Sequence, residues 1–182
     1  MRNVDPKRLV HCSKHLSLIL RHDPASAGIT LDTQGWAPVP ALLTAVGITA
    51  AELDQIVAEN NKKRFEFNPD RTLLRASQGH SVDVDLGYQE SVPPETLYHG
   101  TSGSFLPNIF DQGLLKMQRQ HVHLSPDRET ALVVARRRKR PVVIEVFAGK
   151  MSKCGHKFWL STNGVWLTEH VPPAFVWFPM GS

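Results

Sequence analysis

Hydrophobic residues recur at three- and four-residue spacing near the start of the chain. This period is typical of a helix with one buried face, and Asp5 and Pro6 stand where N-cap and first-turn residues are preferred. The residue before Pro24 is biased away from helical geometry. The pattern therefore predicts a helix that ends near Arg21 and leaves His22 at or just past its C-terminal end. The hydrophobic positions are Leu9, Cys12, Leu16, Ile19 and Leu20.

Shorter elements follow in the first half of the chain. Ile29–Val39 predicts an extended stretch, and residues 42–46 predict a short helix that Gly47 closes. Thr49 and Glu52 have the spacing of a capping box, which starts a further helix.

Alternation of apolar and polar residues then replaces the helical period. Arg64–Phe67 alternates, Asn68–Asp70 has turn chemistry, and Thr72–Leu74 resumes as a strand. The sequence therefore predicts a β-hairpin here, and helices followed by such a hairpin favour a winged-helix module.

The middle of the chain indicates a boundary. Residues 78–95 lack a sustained apolar period, and Pro93 and Pro94 form a stiff break. We therefore predict two lobes, residues 1–90 and residues 91–182.

Short strands dominate the second lobe. Helices fill only two of the gaps, one near Phe105–Gln112, stopped by Gly113, and one opened by Ser125 and Pro126. Strands this numerous and this short predict a compact, mainly antiparallel α+β domain. The predicted strands are Thr96–His99, His121–Leu124, Val142–Phe147, Phe158–Leu160, Val165–Thr168 and Phe175–Phe178.

The composition is that of an ordinary globular protein. The chain is 41% hydrophobic and 21% charged, and it has two cysteines, which we expect to be free thiols. Its N-terminal segment lacks the uninterrupted apolar run of a signal peptide, and no apolar run approaches the length of a bilayer span. We therefore expect a cytoplasmic protein with no membrane partner.

The charge balance is mildly basic. Lys and Arg number 21 against 17 for Asp and Glu, which favours encounter with nucleic acid. The densest basic block, Arg136–Arg140, lies at the predicted end of a helix. Two interpretations stay open for it: its cations complement the helix dipole at a solvated helix end, or it holds an RNA backbone non-specifically.

Several residues with useful chemistry lie where a predicted element begins or ends, which is where sites are usually built. They include Arg21 with His22, Arg64 and Arg119, although an arginine chosen blindly is more often a solvated side chain. His99–Thr101 ends a predicted strand in a glycine turn, where backbone N–H groups can approach a ligand closely. An ordinary turn would explain the same residues.

Two histidine pairs have spacings compatible with a metal ion. His121 and His123 share one face if they lie on a strand, and His11 and His15 are one helical turn apart. Neither pair has an evident companion ligand, so we expect no metal and interpret these residues as packed or exposed histidines. The glycine-rich dinucleotide signature and the P-loop are both absent, so any nucleotide must bind in another way.

Seven segments, found from about Ser13 to Phe178, together resemble one protein family. They are SKHLSLILRHDP (Ser13–Pro24), LDTQGW (Leu31–Trp36), KKRFEF (Lys62–Phe67), QGHS (Gln78–Ser81), LYHGT (Leu97–Thr101), HVHLS (His121–Ser125) and NGVWLT (Asn163–Thr168). Their order and content resemble the RNA 2′-phosphotransferase family. The chain departs from the family pattern at Ala135 and Lys139, where relatives often carry glycines.

The resemblance implies a function for each lobe. The first, residues 1–90, would be a winged-helix-like lobe that handles RNA, and the second, residues 91–182, would be an ADP-ribosyltransferase-like lobe that binds NAD⁺. The implied catalytic set is Arg21, His22, Arg64 and Arg119. The implied NAD⁺ pocket is His99, Gly100, Thr101, His123, Ser125, Asn163 and Gly164.

The family's reaction, as the resemblance implies it, uses NAD⁺ as a co-substrate and RNA carrying a 2′-phosphate, as in tRNA splicing. The phosphate first attacks C1″ of the nicotinamide ribose, which joins RNA to ADP-ribose. The 2″-hydroxyl then attacks phosphorus and releases RNA with ADP-ribose 1″,2″-cyclic phosphate. Because the nucleophile is already an anion, three arginines without a carboxylate suit this chemistry. We expect a monomer with no metal.

Two other functions stay open. An ADP-ribosyltransferase acting on terminal phosphates of nucleic acids would stop after the first step. A non-catalytic winged-helix protein would bind nucleic acid through its basic face and would not turn over NAD⁺.

Overall fold

The computed structural model describes residues 5–60 and 63–178, so Lys62 of the KKRFEF segment and both ends of the chain lie outside the described residues. The chain divides into two compact units, residues 1–87 and residues 88–182. Within the described ranges, the fold mixes six α-helices with several small antiparallel sheets. The predicted combination of helices and antiparallel strands is therefore confirmed.

Three helices form most of the first unit: α1 (Pro6–Arg21), α2 (Val39–Val46) and α3 (Ala50–Ala58). The predicted capping of α1 is confirmed, since the Asp5 side chain accepts a hydrogen bond from the Lys7 amide. The capping box of α3 is also present, with the Glu52 carboxylate accepting from the Thr49 amide at 2.8 Å.

A three-stranded sheet completes the first unit. The predicted hairpin is confirmed as β2 (Phe65–Phe67) paired antiparallel with β3 (Leu73–Ala76), and β1 (Ala37–Pro38) pairs with the other edge of β3. The predicted extended stretch to Val39 was wrong at its end, because Val39 already begins α2. Apolar side chains of the three helices and of β3 share one buried core, and burying each side chain fully contributes about 1.5–3 kcal/mol. Its most buried members include Leu16, Ile19, Leu20, Leu42, Leu53 and Leu74.

The described residues of the second unit form three small sheets whose strand pairs are all antiparallel. Their strands are β4 (Leu97–Ser102), β5 (Leu114–Leu115), β6 (Val122–Leu124), β7 (Pro141–Val146), β8 (Trp159–Leu160), β9 (Trp166–Thr168), β10 (His170–Val171) and β11 (Val176–Trp177). The strand orders are β11-β7-β4, β6-β9-β8 and β10-β5. Each predicted strand is present with ends shifted by a few residues, and β5 with β10 is an additional pair.

The helices of the second unit are α4 (Leu106–Gln112), α5 (Arg128–Ala135) and α6 (Ala148–Lys153). The prediction that helices fill only two gaps was wrong, because α6 fills a third. The predicted start of α5 was also too early. Asp127 is its N-cap and accepts from the Thr130 amide at 2.7 Å, whereas Ser125 pairs through its backbone with Tyr98.

No single helix in the described ranges is long and apolar enough to cross a membrane. Helices α2 and α3, bent by 96° at their junction, pass this test only as a pair and by length and composition alone. Both helices contribute buried side chains to the core of the first unit, Leu42 from α2 and Leu53 from α3.

Candidate active site

The C-terminal end of α1 is tied to a segment that follows β3. The last carbonyl groups of a helix lack partners within the helix, and here the Arg21 carbonyl accepts from the amides of Ser81 and Val82 at 2.8 and 3.3 Å. The next residue, His22, places its Nδ1 atom 2.9 Å from the Ser81 Oγ atom. The QGHS segment therefore fixes the position of two predicted catalytic residues.

Arg64 belongs to the same arrangement. The Arg21 guanidinium donates to the Arg64 carbonyl at 3.4 Å, and the Arg64 guanidinium donates to the Asn60 side chain at 3.5 Å. Burial lowers the pKa of Arg64, but arginine stays charged at physiological pH. A partly desolvated cation attracts an anion more strongly than a fully solvated one does. The first unit thus brings together Arg21, His22 and Arg64.

His80, which the sequence analysis did not single out, lies within this arrangement. Its side chain is 1% exposed, and neither ring nitrogen has a hydrogen-bond partner among the described residues. Burial, together with the charges of Arg21, His22 and Arg75, lowers its pKa to about 4. At neutral pH the ring is therefore uncharged. The only sequence signal for it was its place in the QGHS segment.

In the second unit, two half-buried histidines from neighbouring strands are joined. The Nδ1 atom of His99 on β4 lies 2.9 Å from the carbonyl oxygen of His123 on β6, and Nδ1 of His123 lies 3.0 Å from the carbonyl oxygen of His121. A carbonyl only accepts, so each Nδ1 carries the proton in these bonds. In a neutral ring the Nε2 atom is then a hydrogen-bond acceptor.

Burial disfavours the charged form of both rings. Burial lowers the pKa of His99, and the cations Arg138 and Arg119 add to this effect, although the hydrogen bond to His123 opposes it. Burial also lowers the pKa of His123 to about 3, again with help from Arg119. The His123 Nε2 atom is buried and has no hydrogen-bond partner in the described ranges. It is therefore a buried acceptor suited to a ligand's hydroxyl or amide group.

The prediction that His99–Thr101 ends a strand in a glycine turn was wrong. Gly100 pairs with Val143, and β4 continues to Ser102. A Cβ atom on Gly100 would overlap the carbonyl oxygen of Ala131, which belongs to α5. Glycine is needed here because α5 packs directly on β4.

Two further predicted pocket residues lie in a tight turn between β8 and β9. The Ser161 hydroxyl donates to the Asn163 side chain at 2.7 Å, and Gly164 has a φ of 79°, which glycine adopts readily. Leu124, the last residue of β6, pairs antiparallel with Trp166, the first residue of β9. The turn that precedes β9 is therefore close to the C-terminal end of β6. The turn and Ser125 thus lie at the same end of the β6-β9 pair.

Arg119 is exposed, and its amide donates to the Lys116 carbonyl at 3.0 Å. Partial desolvation lowers the pKa of its guanidinium, and the neighbouring cation Arg138 adds to the effect. Arg138 is therefore close enough to Arg119 and His99 to affect both electrostatically. The sequence treated Arg138 only as part of a basic block.

In the part of the chain that the structure describes, no group of three or more His, Cys, Asp or Glu side chains could hold a metal ion. His11 is exposed and His15 is half-buried on α1.

Comparison with known proteins connects these residues to one family. Residues 7–170 match the family model described as "RNA 2'-phosphotransferase, Tpt1 / KptA family". Proteins named "Probable RNA 2'-phosphotransferase" are similar over nearly their whole length. The one from Burkholderia pseudomallei is 52% identical, covering 92% of this chain and 94% of the relative. The one from Flavobacterium johnsoniae is 51% identical, covering 91% and 94%, and the one from Rhodopirellula baltica is 48% identical, covering 95% and 97%.

Proposed function

This chain belongs to the RNA 2′-phosphotransferase family, and from that premise we propose that it removes an internal 2′-phosphate from RNA in a reaction that consumes NAD⁺. In the first step the phosphate oxygen bonds to C1″ of the nicotinamide ribose, and nicotinamide departs. In the second step the 2″-hydroxyl oxygen bonds to phosphorus, and the bond to the RNA 2′-oxygen breaks. The products are RNA with a 2′-hydroxyl, ADP-ribose 1″,2″-cyclic phosphate and nicotinamide.

The observation that carries this proposal is the convergence of Arg21, His22 and Arg64 in the first unit. Arginine presents a planar fork of donors that matches phosphate oxygens, and it keeps its charge at any working pH. We assign Arg21 and Arg64 to the 2′-phosphate, and on the family resemblance we give Arg119 the same role. Holding the nucleophile in line is then the main catalytic contribution.

His22 is assigned to the proton that the departing RNA 2′-oxygen needs in the second step. An imidazole suits proton transfer near neutral pH. In the protonated ring, the Nδ1–H group can donate to the Ser81 hydroxyl, which fixes the ring, so we assign the transfer to Nε2.

The second unit supports NAD⁺ as the other substrate. NAD⁺ presents ribose hydroxyls and a carboxamide, which are donors, and the neutral His99 and His123 rings offer Nε2 acceptors. The buried His123 Nε2 atom, which has no partner among the described residues, fits such a donor. We propose that His99, Thr101, His123 and Ser125, with the Asn163–Gly164 turn, orient NAD⁺. Gly100 would contribute by letting α5 pack on β4.

We further propose that the first unit is a winged-helix-like RNA lobe and the second an ADP-ribosyltransferase-like lobe. Three helices with a hairpin in a three-stranded sheet support the first assignment. Short antiparallel sheets with α5 packed on β4 support the second.

The test incubates the purified protein with a short RNA that bears one internal 2′-phosphate, with and without NAD⁺. We expect loss of the phosphate from RNA and release of nicotinamide only when NAD⁺ is present. Nicotinamide release with ADP-ribose left on the RNA would indicate an ADP-ribosyltransferase that stops early. RNA binding without any NAD⁺ turnover would indicate a non-catalytic binder and would overturn the proposal.

A further inference from the structure

A basic tract, Arg136–Arg140, forms the connection between α5 and β7 in the second unit. All five side chains are exposed. The ion pairs found within the described residues use other cations and none of these five. The tract is therefore a concentrated positive charge, and no carboxylate of the described residues forms an ion pair with it.

The backbone of the tract is held in place. The Ser102 hydroxyl donates to the Lys139 carbonyl at 2.6 Å, and the Gly103 amide donates to the Arg140 carbonyl at 2.8 Å. The Arg138 amide donates to the Ala135 carbonyl at 2.9 Å. The tract is thus fixed to the end of β4, the strand that carries His99.

An exposed aromatic ring lies beside the tract. Phe105 is 44% exposed, and the Arg138 guanidinium carbon lies 5.5 Å from the centre of its ring. Unstacked RNA bases stack on aromatic rings and on guanidinium planes, while neighbouring cations bind the phosphates. Arg138 also lowers the pKa of Arg119 and of His99, so this surface is close to the predicted site residues of the same unit.

We propose that the tract and Phe105 form a docking surface for single-stranded RNA, with the cations on backbone phosphates and a base on Phe105 or Arg138. Five consecutive cations exceed what the two charges of one dinucleotide pyrophosphate require, which favours a polymer. The inference rests on the proposed function only for the identity of the RNA. Binding itself needs no turnover.

The test measures the affinity of a single-stranded RNA of about twelve nucleotides, without a 2′-phosphate and without NAD⁺, at several salt concentrations. It compares the wild-type protein with the variant Arg136→Gln/Arg138→Gln. The matched control is Lys150→Gln/Lys153→Gln, which removes the same charge from α6 of the same unit. The two sites lie at opposite ends of β7, whose six residues span about 20 Å.

We expect the tract variant to bind about fivefold or more weakly than the control at about 0.1 M salt. Each phosphate contact to a single strand contributes about 0.7 to the slope of log affinity against log salt, so losing two contacts lowers the slope by about 1.4. Phe105→Ala, which removes no charge, should weaken binding severalfold and leave the slope unchanged.

Equal affinity and equal slope for the tract variant and the control would overturn the proposal. So would a drop in affinity without a change in slope, because phosphate contacts would then not be involved. Thermal unfolding of each variant verifies that it is folded, and Phe105→Ala tests the surface independently of charge. If RNA binds through the tract but no 2′-phosphate is removed, the proposed function fails and this inference stands.

Discussion

The Nδ1 atom of His22 lies 2.9 Å from the Oγ atom of Ser81, a residue 59 positions further along the chain. Ser81 is itself held by its amide, which donates to the Arg21 carbonyl at 2.8 Å. The proposed proton donor is therefore oriented by a residue outside its own helix. A hydrogen bond of this kind can be removed without removing the imidazole.

Ser81→Ala should lower the rate of the second step about fivefold, because losing a hydrogen bond worth about 1 kcal/mol frees the His22 ring to turn. Ser81→Thr, which keeps a hydroxyl, should retain most of the rate. The measurement is a double-mutant cycle with His22→Ala in single-turnover kinetics. If Ser81→Ala slows the His22→Ala enzyme as much as it slows the wild type, the two residues act independently and the assignment is wrong. An unchanged second-step rate in His22→Ala alone would also remove His22 from the mechanism.

Arg64→Ala or Arg119→Ala should slow the second step more than the first. Charge builds on the phosphoryl oxygens in that step, and removing a cation that stabilises such charge commonly costs about a hundredfold in rate. RNA joined to ADP-ribose should therefore accumulate, which gel analysis of quenched reactions would detect. Arg8→Ala and Arg128→Ala are the controls, since both remove exposed, ion-paired arginines outside the proposed set. Equal slowing of both steps would contradict the prediction.

Acid should destabilise the folded chain partly through His80. Its pKa is about 4 in the folded chain and about 6.5 when unfolded, so between these values the unfolded chain binds a proton that the folded chain excludes. The free energy of unfolding should thus fall by on the order of 3 kcal/mol as the pH drops from about 6.5 to about 4. Urea unfolding of wild-type and His80→Gln proteins across this range checks it. His123 contributes equally to both proteins. If the free energies of unfolding of the two proteins change in parallel with pH, His80 contributes nothing.

Gly100→Ala should destabilise the second unit, because the added Cβ atom would overlap the Ala131 carbonyl oxygen of α5. Overpacking of this kind costs about 1–3 kcal/mol. Gly103→Ala, only three residues on, is the matched control: the nearest atom to its Cβ would be 3.6 Å away. The measurement is thermal unfolding. Equal melting temperatures for the two variants would show that α5 can shift away from β4 without a loss of stability.

Local signals in the sequence were enough to predict much of the fold. Asp5 with Pro6, Thr49 with Glu52, and Asn68–Asp70 act on residues only a few positions away, so α1, α3 and the β2-β3 hairpin could be predicted. The pair β5-β10 could not, because Leu114 and Val171 have no local signal for their pairing. Likewise, Ser125 does not open α5, because its backbone is hydrogen-bonded to that of Tyr98, which is distant in the sequence.

In the candidate site too, some features have a local sequence signal and others depend on contacts between distant residues. The residue types of Arg21, His22, Arg64 and Arg119 could be selected from their positions and from the family resemblance. The hydrogen bond between His22 and Ser81 and the burial of His80 arise from tertiary contacts, so spacing along the chain does not indicate them. The packing of α5 on Gly100 also depends on contacts between distant residues, and for that reason the glycine was interpreted as a turn.

The fate of the phosphorus atom distinguishes the proposed NAD⁺-dependent transfer from simple hydrolysis. An RNA is prepared with one internal 2′-phosphate labelled with ³²P, incubated with the protein and NAD⁺, and the labelled product is identified by chromatography and mass spectrometry. We expect the label to leave the RNA in ADP-ribose 1″,2″-cyclic phosphate, with one nicotinamide released for each phosphate. Label recovered as inorganic phosphate, or released equally well without NAD⁺, would contradict this expectation.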